Sequence, residues 1–496
     1  MRDIQNLHVV VLGAGPAGLA TGHELAQNGV RVTVLEKNSF IGGLCRTVHD
    51  GGYKFDLGGH RWFTKNEHLN NWFRRLMRDE IVMVERISRI YYNGKYFLYP
   101  VEIGDVIRKA GIPTIMRAGI TYVIAALKFG ALNRPIRNIE DAYTAQFGST
   151  LYKMFFEQYT EKLWGLTCDK LSADWVSQRS RGLNIWTVVQ EALAARRSRV
   201  KSLIEEFMYP RDGYVRIPER MAEDIVLKGN QVNLNSGVKK IVYKGPNDIE
   251  VYFDSAEGKR MLQANEIVST IPLGLLAQMI EPAAPAAVIA NARALTFRDL
   301  VTVNVKLRRN QVSKDTWLYV QDREVLFGRL HEPKNWSKAM VPDAEHTSLV
   351  LECFCTVNDE IWRMTDDEIA RRCVRDLVEK LGFVSEDEVE GWNVVRTFHA
   401  YPVYDLQYDS RIESVKTWLS THAGINIVGR GGTFRYNNAD HSIEMGLLLG
   451  RRLLGDKVDH MAVNTEQEYH EEIQSDDIGR DYYKSSAKIS KSGSVA

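Results

Sequence analysis

The sequence predicts an α/β fold in which a discontinuous domain built on a parallel sheet is interrupted by a largely helical region and an antiparallel-sheet region. The chain opens with a buried strand, a helix and a second buried strand at His8–Leu12, Ala17–Asn28 and Arg31–Glu36. This is the order of a βαβ unit with a right-handed crossover. A further strand and helix return only near the end, at Ile425–Gly429 and Ile443–Leu454. We therefore expect distant parts of the chain to complete the first domain.

The middle of the chain changes its periodicity. From about residue 65 to 207 the pattern is mostly helical, as in Leu151–Trp164, where apolar residues recur every three or four positions. Longer strands are predicted at 298–308 and 348–356. We divide the chain into residues 1–64, 210–290 and 415–460 as three parts of the first domain, 65–209 as a mainly helical substrate or cap region, 291–414 as an antiparallel substrate sheet, and 461–496 as a polar C-terminal tail.

Length and composition exclude several classes of protein. The 496 residues correspond to roughly three domains, or to two with one enlarged. The 64 Lys and Arg residues against 63 Asp and Glu residues leave a net charge of +1, which excludes a strongly basic nucleic-acid-binding protein. Five cysteines are too few for a disulfide framework and fit a reducing compartment, and their spacing predicts no metal site.

The sequence predicts a cytoplasmic protein with no integral membrane segment. The start of the chain lacks the basic region and cleavage site of a signal peptide. The most apolar stretch, Ile120–Leu132, is too short to span a bilayer and contains Lys128. We expect it to form an amphipathic or buried helix. The oligomeric state does not follow from the sequence.

A glycine-rich turn follows the first strand. Gly13, Gly15 and Gly18 form Gly-x-Gly-x-x-Gly between a strand and a helix, and Glu36 ends the second strand. The first glycine permits the tight turn, the second lets a pyrophosphate approach, the third allows close helix–strand packing, and the carboxylate binds ribose hydroxyls. The pattern predicts a Rossmann-like dinucleotide site. Its candidate residues are Gly13, Gly15, Pro16, Ala17, Gly18, Glu36 and Lys37.

A second glycine-rich loop, Ile41–Thr47, follows the acidic residue, and Gly58-Gly59-His60 comes soon after it. This arrangement resembles flavoproteins of the amine-oxidase-like branch of the glutathione-reductase superfamily. Near the end, the segments starting at Val428 and Asp440 resemble the C-terminal flavin motif of that branch. The resemblance implies a discontinuous FAD-binding domain that holds FAD noncovalently. It adds Gly43, Leu44, Arg46, Gly59, His60, Val238, Gly429, Arg430, Asp440, His441, Ser442 and Ile443 to the candidate cofactor residues.

Within that branch the chain is most similar to UDP-galactopyranose mutases, through several short motifs in the same order along the chain. These motifs are Gly58–Phe63, Arg86–Ser88 with Tyr99-Pro100, Tyr159–Gly165, Trp175–Arg179 with Asn184, Trp317–Tyr319, Phe327–Arg329, Tyr401-Pro402 and Arg435-Tyr436. The resemblance implies catalytic roles for His60, Arg179 and Arg329, with the two arginines on the substrate diphosphate. It also implies that Trp164, Asn184, Trp317, Tyr319, Tyr401 and Tyr436 bind substrate.

The resemblance implies an FAD-dependent nucleotide-sugar mutase that interconverts pyranose and furanose forms through a reduced-flavin N5–sugar adduct. Such an enzyme would be active when reduced, with NAD(P)H as a possible reductant, and would serve cell-surface polysaccharide biosynthesis. The alternative is an FAD-dependent oxidoreductase of the protoporphyrinogen oxidase, amine oxidase or carotenoid desaturase type. The apolar stretch 111–132 keeps this alternative open, because a lipid-binding enzyme could use it. A non-catalytic binding protein is a third possibility, which the intact dinucleotide fingerprint disfavours.

Overall fold

The computed structural model describes residues 6–99, 103–176 and 206–464. Its strands are β1 (His8–Leu12), β2 (Arg31–Leu35), β3 (Thr47–Asp50), β4 (Tyr53–Asp56), β5 (Ile81–Glu85), β6 (Ser88–Tyr92), β7 (Lys95–Leu98), β8 (Glu206–Pro210), β9 (Gln231–Asn233), β10 (Val238–Gly245), β11 (Asp248–Ser255), β12 (Gly258–Ala264), β13 (Glu266–Ser269), β14 (Ile280–Glu281), β15 (Phe297–Leu307), β16 (Trp317–Val320), β17 (Arg329–His331), β18 (Thr347–Cys355), β19 (Val389–Pro402) and β20 (Ile425–Ile427).

The helices lie between these strands and on the faces of the sheets. They are α1 (Pro16–Gln27), α2 (Glu67–Met77), α3 (Ile103–Ala110), α4 (Ile112–Ala125), α5 (Ile139–Tyr152), α6 (Gln158–Trp164), α7 (Arg216–Leu227), α8 (Leu273–Met279), α9 (Ala286–Ala294), α10 (Glu360–Arg363), α11 (Asp366–Arg375), α12 (Tyr408–Ser420), α13 (Gly429–Thr433) and α14 (Ala439–Leu453). Wider π-helical turns continue α4, α5 and α11 to Ala131, Glu157 and Leu381.

The parallel sheet confirms the predicted α/β fold. Its strand order is β20-β13-β1-β2-β9, and every neighbouring pair is parallel. Pro16 stands at the first position of α1, where its missing N–H costs nothing, and all five residues of β1 are buried. The sheet takes strands from the start, the middle and the end of the chain. The carboxyl ends of these strands therefore gather segments that are far apart in sequence.

A second large sheet lies apart from the first. Its order is β19-β15-β18-β17-β16-β6-β7, antiparallel except where β16 runs parallel to β6. The predicted strands at 298–308 and 348–356 are confirmed as β15 and β18, each displaced by one residue. A smaller sheet has the order β12-β11-β10-β14.

The description of residues 65–209 as mainly helical is incomplete, because β5, β6 and β7 lie within it. Strand β5 pairs with β8 more than 100 residues later, and β6 and β7 form the edge of the seven-stranded sheet. Such pairings depend on partners distant in sequence, which local periodicity does not reveal. The predicted tail from residue 465 onward lies outside the described residues.

The apolar helical segment is longer than Ile120–Leu132, the stretch that the sequence analysis judged too short to span a bilayer. Within the described part of the chain, one helical segment, Ile112–Ala131, is long and apolar enough to span a membrane, with a mean hydropathy of 1.3. The prediction that this stretch is too short was wrong, because the helix begins at Ile112 and not near Ile120. The segment is amphipathic in its packing, with Ala118 and Ala125 buried and most other positions exposed.

Candidate active site

The glycine-rich turn between β1 and α1 leaves open space above the first turn of the helix. Gly13 has a φ of +107°, and a Cβ atom there would lie 2.1 Å from Thr270 Oγ1. A Cβ atom on Gly18 would lie 2.2 Å from the Gly13 carbonyl oxygen, so the helix packs closely on the turn. A Cβ atom on Gly15 would meet no protein atom within 4 Å. The open position is the one where the sequence predicts the approach of a pyrophosphate.

Glu36 lies beside this turn at the carboxyl end of β2. Its Oε2 accepts a hydrogen bond from the Ala14 N–H at 2.9 Å, and Oε1 accepts from the backbone and side-chain amides of Asn38 at 3.0 and 2.7 Å. Lys37 is exposed next to it, and a Cβ atom on the glycine before Val238 would lie 3.6 Å from the Lys37 Cβ atom. Val238, the first residue of β10 in the smaller sheet, therefore lies near the end of β2 that carries Glu36 and Lys37.

The second glycine-rich loop packs directly on the first. A Cβ atom on Gly43 would lie 3.4 Å from the Cα atom of Gly15. Leu44 packs against the hydrophobic core. The half-buried Arg46 places its guanidinium carbon 3.8 Å from the centroid of the Phe40 ring, and burial lowers the pKa of this arginine. The loop thus brings a cation close to the predicted dinucleotide site.

The C-terminal motif completes the same site from the other side. Gly429 has a φ of +77°, and a Cβ atom there would lie 2.7 Å from the Cβ atom of Ala17. A Cβ atom on Gly446 would lie 2.4 Å from the Ala17 carbonyl oxygen, so α14 packs closely against α1. The first turn of α14 carries the remaining predicted residues Asp440, His441, Ser442 and Ile443. Glycine-mediated packing therefore joins motifs about 400 residues apart.

Arg430 lies among the predicted substrate tyrosines. Its Nε donates to the Asn437 carbonyl oxygen at 2.8 Å, and its Nη1 donates to the Ala400 carbonyl oxygen at 2.9 Å. Its guanidinium carbon is 5.4 Å from the ring centroid of Tyr401 and 4.8 Å from that of Tyr436. These contacts hold the two tyrosines in place. The predicted contact of Arg430 with the cofactor stays a prediction.

Asp56 is a buried anchor that the sequence motifs did not single out. It accepts hydrogen bonds from Thr47 Oγ1 and the Tyr209 hydroxyl, both at 2.6 Å, and from the Tyr214 N–H at 3.2 Å. Burial raises the pKa of this carboxyl to about 6. The contacts tie the second glycine loop to β8. The only sequence signal was the position of Asp56 just before Gly58 and Gly59, which drew attention to the glycines.

The Gly-Gly-His segment lies flat against Trp317. A Cβ atom on Gly59 would lie only 1.6 Å from that indole ring, so glycine is required at this position. The His60 ring lies 5.4 Å from the ring of Tyr214, and its buried Nδ1 has no hydrogen-bond partner among the described residues. Burial, aided by the charge of Arg430, lowers the pKa of His60 to about 3. His60 is therefore a neutral imidazole at physiological pH.

Arg329 forms the centre of the predicted substrate site. It stands on β17 directly opposite Glu352 on β18, and its Nη2 donates to the Glu352 carboxylate and to the Tyr401 hydroxyl. Glu352 is fully buried and also accepts a hydrogen bond from the Gly59 backbone. Burial raises the pKa of the Glu352 carboxyl, while the guanidinium opposes that shift. One buried ion pair thus links the predicted flavin loop to the substrate sheet.

Aromatic side chains surround this ion pair. The ring centroids of Tyr401 and Tyr436 are 5.7 Å apart, those of Trp164 and Tyr436 are 6.2 Å apart, and those of Trp317 and Tyr319 are 6.0 Å apart. The wall also includes Tyr159, Trp175 and Phe354, which the residue predictions omitted. The predicted residues Trp164, Trp317, Tyr319, Arg329, Tyr401 and Tyr436 therefore lie together. Arg179 and Asn184 lie outside the described residues.

Several buried polar atoms point to a ligand at this place. Trp164 Nε1, Trp317 Nε1, Arg329 Nε and Glu352 Oε1 are buried without a hydrogen-bond partner among the described residues. A buried donor or acceptor without a partner costs about 1–3 kcal/mol, so proteins rarely leave one unmet. Four such atoms, one on Arg329 itself and three on other residues of this region, indicate a binding site for a polar molecule.

The relation to known proteins follows from this arrangement. The chain matches the profile of flavin containing amine oxidoreductases over residues 16–422, which is most of its length. The chain belongs to this family. As an amine oxidoreductase family member it is expected to bind FAD, and its residues fit that cofactor: the position of Gly15 is open, Glu36 stands beside it, and Gly429 brings the C-terminal motif to the same turn. The predicted FAD-binding fold is confirmed.

Solved structures of other proteins share the fold of this chain. Reduced UDP-galactopyranose mutase aligns over 93% of this chain and 100% of its own, with a TM-score of 0.79 and 21% identity. A protein provisionally assigned as a protoporphyrinogen oxidase, from Exiguobacterium sp. 255-15, aligns over 91% and 99%, with a TM-score of 0.67 and 17% identity. The predicted resemblance to UDP-galactopyranose mutases is confirmed. At these identities the likeness concerns the fold.

Curated relatives of this chain match over shorter segments. Phytoene desaturase from Fusarium fujikuroi is 48% identical over 58 residues, which are 12% of this chain and 10% of the desaturase. A protein provisionally assigned as a UDP-galactopyranose mutase, from Klebsiella pneumoniae, is 25% identical over 178 residues, which are 34% of this chain and 44% of that protein. The chain thus spans about a tenth of the desaturase and less than half of the mutase.

Lys162 is a second residue whose role was not predicted. It lies within the Tyr159–Gly165 motif, and its Nζ donates to the carbonyl oxygens of Val320, Asp322, Val325 and Phe327 at 2.7–3.2 Å. The lysine thereby fixes the loop that joins β16 to β17. Because β17 begins with Arg329, Lys162 supports the loop that leads into the predicted substrate arginine. The motif contained the signal, but only the tertiary contacts give it a function.

Proposed function

We propose that this protein is an FAD-dependent nucleotide-sugar mutase that interconverts pyranose and furanose forms. The observation that carries the proposal is the buried Arg329 inside an aromatic wall, whose partner Glu352 also accepts a hydrogen bond from the Gly59 backbone. An oxidase acting on an apolar substrate has no need of a guanidinium beside its flavin loop. The likeness in fold to reduced UDP-galactopyranose mutase supports the same assignment.

In this proposal Arg329 and Tyr401 bind the diphosphate of the substrate. Arg329 retains a buried Nε with no partner among the described residues, and its Nη2 donates a hydrogen bond to the Tyr401 hydroxyl. A planar guanidinium stays charged and offers paired donors to phosphate oxygens. Arg179 is proposed as the second cation. Neutral His60 adds no further positive charge and can accept or donate one hydrogen bond at the buried Nδ1.

The aromatic wall would exclude water and hold the base of the nucleotide. Trp164, Tyr401 and Tyr436 form contiguous ring contacts, and an aromatic face of this kind can stack on a pyrimidine. The reduced flavin would supply the nucleophile for the anomeric carbon, with NAD(P)H as the proposed physiological reductant. Glu352 holds Arg329 in place and keeps the local charge near neutral until a diphosphate binds.

A flavin-dependent oxidoreductase is the second candidate, and two observations favour it. Short segments of the chain are similar to phytoene desaturases, and a long apolar helix lies near the substrate sheet. This candidate predicts net transfer of electrons from an apolar substrate. The mutase predicts many turnovers after a single reduction. The stoichiometry of reductant therefore separates the two.

The test is an anaerobic assay with dithionite-reduced protein and a panel of nucleotide sugars, in which products are identified by NMR. We expect furanose formation with UDP-galactopyranose or a related sugar, no activity in the oxidised protein, and many products per reduction. Arg329→Met should abolish turnover. The matched control Arg308→Met changes the residue directly after β15, whose side chain is 69% exposed, and should leave turnover unchanged. One reductant or one oxygen consumed per product would reject the mutase in favour of the oxidoreductase.

A further inference from the structure

Helix α4 and the turn that follows it expose an apolar face on the surface of the protein. Six large side chains along it are more than half exposed: Ile112 75%, Met116 64%, Ile120 60%, Val123 58%, Ile124 57% and Leu127 56%. Single exposed apolar residues are common, but a contiguous row of this length marks an interaction surface. We define these six residues as the α4 face.

The α4 face is one side of a helix whose other side is packed. At about 100° per residue, the five positions from Ile112 to Ile124 fall within roughly 120° of the helix circumference. Ala118 and Ala125 are buried on the opposite side. The helix crosses α5 closely, since a Cβ atom on Gly148 would lie 2.7 Å from the Tyr122 backbone nitrogen. A helix so tightly docked on the protein is suited to lie on a membrane surface and not to cross the bilayer alone.

Only basic residues carry charge along the stretch of chain that contains the α4 face. The segment from residue 106 to 139 has no acidic residue, and its basic residues are Arg108, Lys109, Arg117, Lys128, Arg134 and Arg137. Lys109 is paired with Asp105. The four arginines are exposed, and none of them forms an ion pair with a carboxylate in the part of the chain that the structure describes. An apolar stripe with a cationic border is the pattern of helices that bind anionic lipid surfaces.

We propose that the α4 face docks this protein on the surface of an anionic lipid bilayer. The charges favour lipid over a second copy of the chain, because a symmetric dimer would bring the two cationic borders together without compensating acids. Lipid headgroups of opposite charge would instead contact the arginines while the apolar side chains enter the acyl boundary. The proposal does not depend on the assigned reaction, since it concerns a surface outside the aromatic wall.

Docking at this face would place the substrate side of the enzyme next to the bilayer. On the inner side of α4, Ile115 packs in one cluster with Phe97, Phe155 and Tyr319, a predicted substrate residue. The π-helical turn Lys153–Glu157, which contains Phe155, leads directly into α6 with Tyr159 and Trp164. A membrane-bound state would therefore hold the catalytic sheet at a fixed depth relative to the lipid surface.

The first test is co-flotation of the full-length holoprotein with two kinds of vesicle. We expect binding to vesicles of 70% phosphatidylcholine and 30% phosphatidylglycerol, weaker binding to pure phosphatidylcholine, and a loss of binding with rising salt. The variant Ile120→Glu/Val123→Glu should lower the partition coefficient between vesicle and water roughly 100-fold. Two apolar side chains that would enter the lipid are lost, and two negative charges would have to enter the lipid–water interface instead. Full flavin content and an unchanged circular dichroism spectrum show that the variant is folded.

A matched control places the same charges on another helix. Val226 and Leu227 at the end of α7 are 55% and 81% exposed, so Val226→Glu/Leu227→Glu should bind vesicles like the wild type. Equal binding of the wild type and the α4-face variant, or no binding by the wild type, overturns the proposal. Sedimentation without lipid tests whether a second copy of the chain binds the α4 face instead of lipid. A wild-type dimer that becomes a monomer in the α4-face variant would show that it does.

A site-specific probe provides an independent measurement. All five native cysteines are buried, so a thiol introduced by Ile120→Cys can be labelled selectively with an environment-sensitive fluorophore. We expect a blue shift and protection from aqueous quenchers on addition of the anionic vesicles. The same label at Leu227→Cys should show neither change. An Ile120 label that stays accessible to quenchers in the presence of vesicles would contradict insertion even if the protein floats.

Discussion

Removing the Arg329 side chain should reduce both stability and substrate affinity, because the arginine is paired with a fully buried acid. In Arg329→Ala the Glu352 carboxylate keeps its burial but loses its cation, while the Tyr401 hydroxyl loses a donor. Breaking one side of a buried ion pair costs about 3–5 kcal/mol, since an uncompensated charge remains. The guanidinium also leaves its contacts with Trp317 and Phe354, whose ring centroids lie 5.2 and 5.0 Å away.

The free-energy cost of Arg329→Ala can be converted into a shift of the melting temperature. With an unfolding entropy of about 2.1 cal/mol/K per residue and a cooperative unit of roughly 250 residues, a cost of about 3–5 kcal/mol lowers Tm by about 6–10 °C. Glu352→Gln should cost a similar amount, because it leaves the cation unpaired. The double variant Arg329→Ala/Glu352→Gln removes both charges and should cost clearly less than the sum of the two single variants Arg329→Ala and Glu352→Gln.

The assay combines calorimetric unfolding of the four proteins with titration of UDP. We expect UDP to bind Arg329→Ala about 10- to 100-fold more weakly, since a charge-assisted hydrogen bond contributes about 1.5–3 kcal/mol. Arg329→Lys should recover part of this affinity, because the charge returns without the planar fork. Flavin content, read from the absorbance spectrum, should stay near that of the wild type.

Two results would refute this reasoning in different ways. Strictly additive losses of stability in the double variant would show that Arg329 and Glu352 do not act as a pair. Wild-type UDP affinity in Arg329→Ala, with the expected loss of stability, would show that the arginine is structural and would remove the main support for a diphosphate site. The two readouts are independent, so each conclusion can stand without the other.

Three further predictions follow from single positions. Gly15→Val should fold but purify without flavin, because the valine side chain would enter the open space above the turn. The control Gly104→Val, which also has no protein atom near its Cβ, should stay yellow. A fully flavinated Gly15→Val would contradict the assigned dinucleotide site. Gly59→Ala should lose flavin or fail to fold, because its Cβ would lie 1.6 Å from the Trp317 ring. In the double variant Gly59→Ala/Trp317→Phe, the smaller ring should partly restore the flavin content. Normal flavin content in Gly59→Ala alone would contradict this packing. Burial lowers the pKa of His331 from 6.5 to about 3, so the folded protein is most stable above pH 6.5, where this histidine is neutral in both the folded and the unfolded chain. As the pH falls from 7.5 to 5, only the unfolded chain gains a proton, and the free energy of unfolding should drop by about 2 kcal/mol. Calorimetry of His331→Gln should show a smaller decline in the free energy of unfolding over this pH range than the wild type.

The local motifs predicted the dinucleotide site because each of its requirements acts over a few residues. The turn of Gly13, Gly15 and Gly18 needs small residues at fixed spacing after a strand, and the acid at Glu36 ends the next strand. Strands β15 and β18 were equally predictable, because their long apolar runs are buried along their whole length. The catalytic chemistry, by contrast, was implied only by resemblance to a family.

The sequence by itself therefore determined the fold class and the glycine-rich turn, and its resemblance to a family predicted a substrate region that includes Trp317, Tyr401 and Tyr436. Only the tertiary structure decided that Glu352 pairs with Arg329, that Lys162 supports the loop before it, and that α4 presents its apolar side outward. The physical reason is distance along the chain. Periodicity and turn chemistry are set by neighbouring residues, whereas a cross-strand ion pair and the covered side of a helix depend on segments brought together only by folding.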